Sequence, residues 1–330
     1  MYNRNVCEKR NNFGGLIVEK YDEYKFKTYL WRVDLHGAVD YLSKFEETNK
    51  LYDKYIDLFE KGNLLTRTDN PVIDKIDKIY QVYYRKVFWQ GVDNNQAKKE
   101  LYIDLGKHFN MPIKNEEDIE DEVVKVVEKE NYNCLCGDTQ GFLGPYIWES
   151  STEEKYRVEL PNGVEDYKLV MMDNFISRSW LDFISFGKTG AGGWARKDGI
   201  LSCVRKCYDT KTNGFIISFL KHEAQHTQDI KKYANITPTE LEYRAKLIEL
   251  IYWPDVTKIK YFFNEASNKN SENTHSMASY LIIENISKEL FNSDYLIEEP
   301  DWNDKVDEIQ SIALVLLKRS NEELESKNKK

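Results

Sequence analysis

The sequence predicts an α+β protein that is mostly helical, and three observations predict it. Four stretches of helical periodicity fill most of the first 130 residues, a glycine-rich segment with short extended runs follows residue 133, and helical periodicity returns from residue 214 onward. The corresponding division is a helical N-terminal region at 1–133 and a second region at 134–330. The second region comprises a β-containing half at 134–232 and a helical half at 233–330.

In the N-terminal region, 38–58, 71–88, 95–109 and 116–130 read as helices, with breaks at Gly62, Gly91 and Pro112. Tyrosines and tryptophans at helical spacing read as core, and His36 and His108 stand in no motif. The character changes at 134–144, where Gly137, Gly141 and Gly144 precede Pro145. Segments 145–149, 156–160 and 167–172 read as strands, the last two joined by a Pro161-Asn162-Gly163 turn. A glycine-rich loop starting at Gly187 leads to a short strand, an Asp198-Gly199 turn and a strand ending near Val204. These glycines have neither of the two phosphate-loop spacings. Later helices are expected at 236–250, 276–291 and 304–320; the last buries Val306, Ile309, Ala313 and Leu316, and the polar 321–330 tail is expected to fray. No internal repeat is apparent.

A chain of 330 residues with 41% hydrophobic residues can bury a substantial core. Its 47 Lys and Arg against 56 Asp and Glu give a formal charge of −9, and no segment concentrates basic residues among aromatics, so nucleic acid is not an expected partner. The longest apolar runs, 214–220 and 312–317, fall far short of the roughly 20 residues that span a bilayer. No apolar segment follows the basic residues at 1–10, so the expected compartment is the cytoplasm, or the exterior if a signal has been removed. Cys7, Cys134, Cys136, Cys203 and Cys207 are too few and too irregular for a disulfide framework, and the Cys203/Cys207 pair lacks a second pair at metal-site spacing.

One motif carries chemistry. His222, Glu223 and His226 form H-E-x-x-H, which places two imidazoles one helical turn apart on one face with a carboxylate beside them. Chance would produce it in on the order of one such chain in a hundred. The preceding 214–220 run is too apolar for a solvated helix, and Phe215, Phe219, His222 and His226 share one face, buried at its start and open to a cleft at its end. A catalytic Zn²⁺ usually has three protein ligands, so a third must follow. The helix at 236–250 opens with Thr237 as N-cap, Pro238 at N1 and Glu240 as the capping-box carboxylate. Glu242, Ala245 and Glu249 then share a face, which makes Glu242 the favoured ligand; a cap at Thr239 would instead occupy Glu242 and leave Glu249.

H-E-x-x-H at His222 to His226, followed on a second helix by Glu242 with Ala245 three residues on, resembles the gluzincin class of zinc metallopeptidases. The longer metzincin pattern is absent, since Asp229 and Lys232 stand where it needs Gly and His. Leu241 replaces the Asn common in gluzincins, and Lys246 replaces the Asp that usually receives the second N–H of a ligand histidine. That support must come from elsewhere, with Asp229 and Glu249 as candidates.

The resemblance implies a zincin-like catalytic domain at 134–330, with a small mixed sheet, a metal helix and a helical subdomain. It implies one Zn²⁺ per chain on His222, His226 and Glu242, with Glu223 as general base. His275 or Tyr280 would stabilise the oxyanion, and a peptide or protein substrate would lie as an added strand along Gly192-Gly193-Trp194-Ala195-Arg196. Hydrolysis of a non-peptide amide or ester, and a non-catalytic binding module, are the competing expectations. Endo- versus exopeptidase action and oligomeric state have no sequence signal.

Overall fold

The computed structural model describes residues 9–10, 16–17, 20–111, 115–196, 198–269 and 273–328; Cys7 and the expected break at Pro112 lie outside them. The fold is α+β and mostly helical. Strands β1 (Lys9–Arg10) and β2 (Leu16–Ile17) pair antiparallel. Helices α1 (Glu23–Trp31), α2 (Leu35–Leu42), α3 (Asn49–Tyr55), α4 (Pro71–Phe88), α5 (Asn94–Phe109) and α6 (Glu116–Lys129) follow. Five of the six begin at an Asp or Asn whose side chain accepts backbone N–H groups: Asp22, Asp34, Asn70, Asp93 and Asn115. Asn70 adds Pro71 at the first helical position, which is why α4 starts where its sequence says it should.

The helix expected at 38–58 is interrupted. The Thr48 hydroxyl donates to the carbonyls of Leu42 and Phe45 at 2.6 and 2.8 Å, satisfying α2's end and turning the chain before α3.

Next come β3 (Asn133–Leu135), β4 (Asp138–Thr139), β5 (Phe142–Leu143), β6 (Tyr146–Leu160), β7 (Gly163–Arg178), α7 (Ser179–Ile184), β8 (Gly193–Ala195) and β9 (Leu201–Val204). The main sheet has the order β3-β6-β7-β9-β8; β9 runs parallel to β7, and β8 antiparallel to β9. The strands expected at 145–149 and 156–160 are one continuous strand. The polar residues between them are exposed and carry no alternating pattern, so only pairing with the neighbouring strand extends the ladder.

The remaining elements are α8 (Asn213–Phe215), a π-helical stretch (Ile216–Lys221), α9 (His222–Lys232), α10 (Pro238–Tyr252), α11 (Thr257–Glu265), α12 (Thr274–Phe291) and α13 (Val306–Asn328). Residues 321–328, expected to fray, are helical. Leu324 is buried, Glu325 receives Lys232 at 2.8 Å, and Lys327 reaches Glu240 at 2.5 Å.

The chain forms two compact units, residues 1–150 with 173–191, and residues 151–172 with 192–330. These units are cut differently from the division at 133/134 read from the sequence. Leu143, Ile147, Trp180 and Phe183 are buried in the core of the N-terminal helices, which draws 134–150 and 173–191 into the first unit. The second unit has its own core, in which Leu169, Met171, Leu201 and Cys203 of the sheet meet Phe215, Phe219 and Ala224, with Leu247 and Ile248 of α10. Cys203 is therefore a core residue, while Cys207 is exposed. Among the described residues no helix is long and apolar enough to cross a membrane.

Candidate metal centre

The second unit's core positions the H-E-x-x-H segment. Phe215 and Phe219 are buried with ring centroids 5.6 Å apart, anchoring the chain just before His222. From Ile216 to Lys221, a stretch that contains Phe219 and leads directly into His222, the helix widens into π geometry, a feature that recurs at functional sites and that a 3.6-residue period does not reveal. Strand β8 lies directly on this helix. A Cβ on Gly193 would stand 2.3 Å from the Phe219 ring and 2.5 Å from the Ser202 carbonyl oxygen, so the close approach requires glycine.

Helix α10 supplies the other wall. Thr237 and Glu240 form a complete capping box with Pro238 at the first position, so the cap at Thr237 holds and Glu242 is left free to face α9. Arg244, two residues further on, donates from Nε and Nη2 to the two oxygens of Asp229 at 2.8 Å each, with both residues almost completely buried. This bidentate pair fixes α9 against α10. It also commits Asp229, which therefore does not support a ligand histidine.

The result is a convergent donor set. His222, His226 and Glu242 each present a ligand atom, all lying within 4.8 Å of one another, and no other such group of three or more His, Cys, Asp or Glu occurs among the described residues. His222 Nε2 lies 3.5 Å from Glu242 Oε2, and His226 Nε2 lies 3.5 Å from Glu242 Oε1. The Glu242 carboxylate thus sits between two imidazole edges, both in side chains about one-tenth exposed.

Second contacts show which residues orient the donors. His222 Nδ1 meets Glu249 Oε1 at 2.8 Å, and the other Glu249 oxygen takes Lys258 Nζ at 2.8 Å. Lys258 also donates to the Ser218 hydroxyl at 2.6 Å, so the π-helical stretch, α10 and α11 meet around one buried carboxylate. Glu249 is hence the carboxylate that orients the His222 ring. Lys246 donates to Glu265 on α11 at 2.5 Å. Ser279 donates to the same Glu265 oxygen at 2.6 Å.

Electrostatics follow the geometry. Burial opposes charge on His222, but its contacts with Glu242 and Glu249 outweigh that and raise its pKa to about 10. Burial would raise Glu249; the His222 contact and the Lys258 and Lys246 charges win and hold it down at about 2. Glu242 is likewise pressed by burial toward the neutral form, yet three surrounding imidazoles, His222, His226 and His275, keep it far below the ordinary carboxylate range.

The donor set fits a divalent cation. Glu242 Oε2 is buried without a well-aligned hydrogen bond, although His275 Nδ1 stands 3.0 Å from it and three imidazoles crowd its carboxylate, and His226 Nδ1 is also buried without a partner. A carboxylate with open lone pairs facing two imidazole nitrogens matches the borderline N and O preference of Zn²⁺.

Glu223, one residue after His222, is not part of the donor set. Its Oε2 accepts the Ala195 backbone N–H at 2.8 Å, which ties it to β8. His275, at the start of α12, brings Nδ1 within 3.0 Å of Glu242 Oε2 while its side chain remains 54% exposed. Tyr280 does not join them. Its ring stacks on Tyr295 at 4.7 Å, and no contact among the described residues links it to the donors; α12 turns it toward a different neighbour. The Ala195 amide, Lys258 and Ser218 had no motif to mark them in the sequence. Comparison with family models, curated proteins and solved structures returns no match.

Proposed function

We propose that the chain is a zinc-dependent metallopeptidase of zincin-like architecture, with Zn²⁺ held by His222, His226 and Glu242. The single observation that carries this reading is the meeting of those three donors, two of them on the helix that carries Glu223, a carboxylate outside the donor set. When bound, zinc supplies Lewis acidity, lowering the pKa of water and polarising a carbonyl.

The chain's own residues supply the rest. With Oε2 fixed by the Ala195 amide, the second oxygen of Glu223 is free to take a proton from the attacking water and return it to the leaving amine nitrogen. Glu249 accepts from His222 Nδ1–H, which leaves Nε2 as the donor atom. His275, half exposed with Nδ1 3.0 Å from Glu242, is assigned the N–H donated to the developing oxyanion.

Strand β8 favours a peptide over a small amide or ester. It is the last strand of the sheet, and its alternate residues turn inward, with Gly192 accepting from Val204 at 2.8 Å and Arg196 donating to Ile200 at 2.8 Å. By the antiparallel alternation, Gly193 and Ala195 turn their backbone groups outward. The Ala195 N–H is already given to Glu223, so Gly193 N–H and both carbonyls are what an added strand would meet. The test is hydrolysis of an unfolded protein by the zinc-loaded chain, compared with Glu223→Gln.

A pH dependence follows from His222. Burial disfavours its charge, but contacts with Glu242 and Glu249 hold its pKa up at about 10, above the ordinary 6.5, so the stability it contributes is fully present below 6.5 and is lost as pH rises through 10. Zinc and the proton compete for Nε2. Between pH 7 and 9 zinc binding should release about one proton from this site, and affinity should rise about tenfold per pH unit. Calorimetric titration in buffers of different ionisation enthalpy measures this; affinity independent of pH over that range would contradict it.

A further inference from the structure

The first unit contains a cavity of about 380 Å³, and every residue lining it belongs to that unit. Its apolar lining is chiefly Leu65, Ile176, Phe183 and Phe186, and its charged lining is two cations, Lys54 and Arg67, and two carboxylates, Asp57 and Asp182. Each lining carboxylate is already matched. Asp57 Oδ1 takes the Asn63 amide at 2.7 Å and lies 3.5 Å from Lys61, while Asp182 Oδ1 pairs with Arg178.

The cations are less fully used. Arg67 commits Nε and Nη2 to the completely buried Asp77, and Nη2 also to Ser177, so its guanidinium is held rigidly. Its Nη1 has only Asp182 nearby, at 3.7 Å, beyond hydrogen-bond reach. Lys54 has no carboxylate partner among the described residues; its ammonium lies 5.9 Å from the centre of the Phe186 ring. Arg67 stands 5.5 Å from the centre of Phe183. Two cations over two aromatic rings, one with an idle donor edge and one without a counter-charge, define a site for an anion attached to an apolar body.

We propose that this cavity binds a small monocarboxylate with an apolar chain or ring, the carboxylate meeting Arg67 Nη1 and Lys54 Nζ and the apolar part lying against Phe183 and Phe186. The site does not depend on the metal centre.

The test uses the full chain and 4-phenylbutyrate, with its uncharged primary amide as control, followed by calorimetry in the presence of zinc and again with chelator. Saturable binding of one carboxylate per chain is expected, with a dissociation constant on the order of 1 mM or tighter, unchanged by chelator and at least about tenfold weaker for the amide. Lys54 is exposed, so Lys54→Gln should fold normally, weaken the carboxylate about tenfold and leave the amide unaffected. Equal binding of acid and amide, undiminished acid binding by Lys54→Gln, binding abolished by chelator, or no saturable heat up to about 20 mM would each overturn the proposal.

Discussion

Replacing Glu223 with Gln should lower the turnover number on an unfolded protein substrate by roughly 10²- to 10⁴-fold while zinc content stays unchanged. The substitution is nearly isosteric. Glutamine keeps a carbonyl oxygen to accept the Ala195 N–H now given to Glu223 Oε2 at 2.8 Å, so β8 stays where it is. What disappears is the oxygen that can take and return a proton. Because Glu223 is not among the three converging donors, metal affinity should hold. Full hydrolytic activity in Glu223→Gln would refute the assigned base, and loss of zinc would show that Glu223 serves the metal instead.

Glu242→Ala should weaken zinc binding by more than about 100-fold, beyond the roughly 10- to 100-fold expected for Glu249→Ala, because one removes a donor atom and the other only the support of a donor. Among the described residues Glu242 is the only carboxylate that meets both His222 and His226, at 3.5 Å from each Nε2. Glu249 instead meets Nδ1 of His222 alone and holds Lys258 on its other oxygen. Glu249→Ala thus has a second cost: a largely buried ammonium loses its carboxylate, and the metal-free chain should be destabilised as well. Competition with a chromogenic chelator ranks the two affinities. Equal zinc affinity in wild type and Glu242→Ala would remove Glu242 from the site.

Much of this centre was legible because its signals are local. H-E-x-x-H fixes two imidazoles by helical spacing alone, and Thr237-Pro238 with Glu240 sets the start of α10 and so the phase that turns Glu242 and Glu249 toward α9. The same holds for α4, whose Asn70 and Pro71 define its first turn. What the sequence withheld depends on distant partners. Nothing local marks Lys258 as the counter-ion of Glu249, or the Ala195 amide as the anchor of Glu223, since each acts across more than one element. The π-helical stretch before His222 escapes a 3.6-residue reading, and the polar middle of β6 is a strand through pairing alone. Tyr280 shows the converse limit: five residues after His275 on one helix, it is carried away from the donors to Tyr295.

The most direct test is zinc titration of the metal-free chain followed by X-ray absorption at the zinc edge, on the wild type and on His222→Ala and His226→Ala. The predicted result is about one zinc per wild-type chain, with two imidazole nitrogens and carboxylate oxygen at about 2.0–2.2 Å, and loss of stoichiometric binding in both variants. A wild-type chain that takes up no zinc, or variants that bind it as tightly as the wild type, would contradict the account.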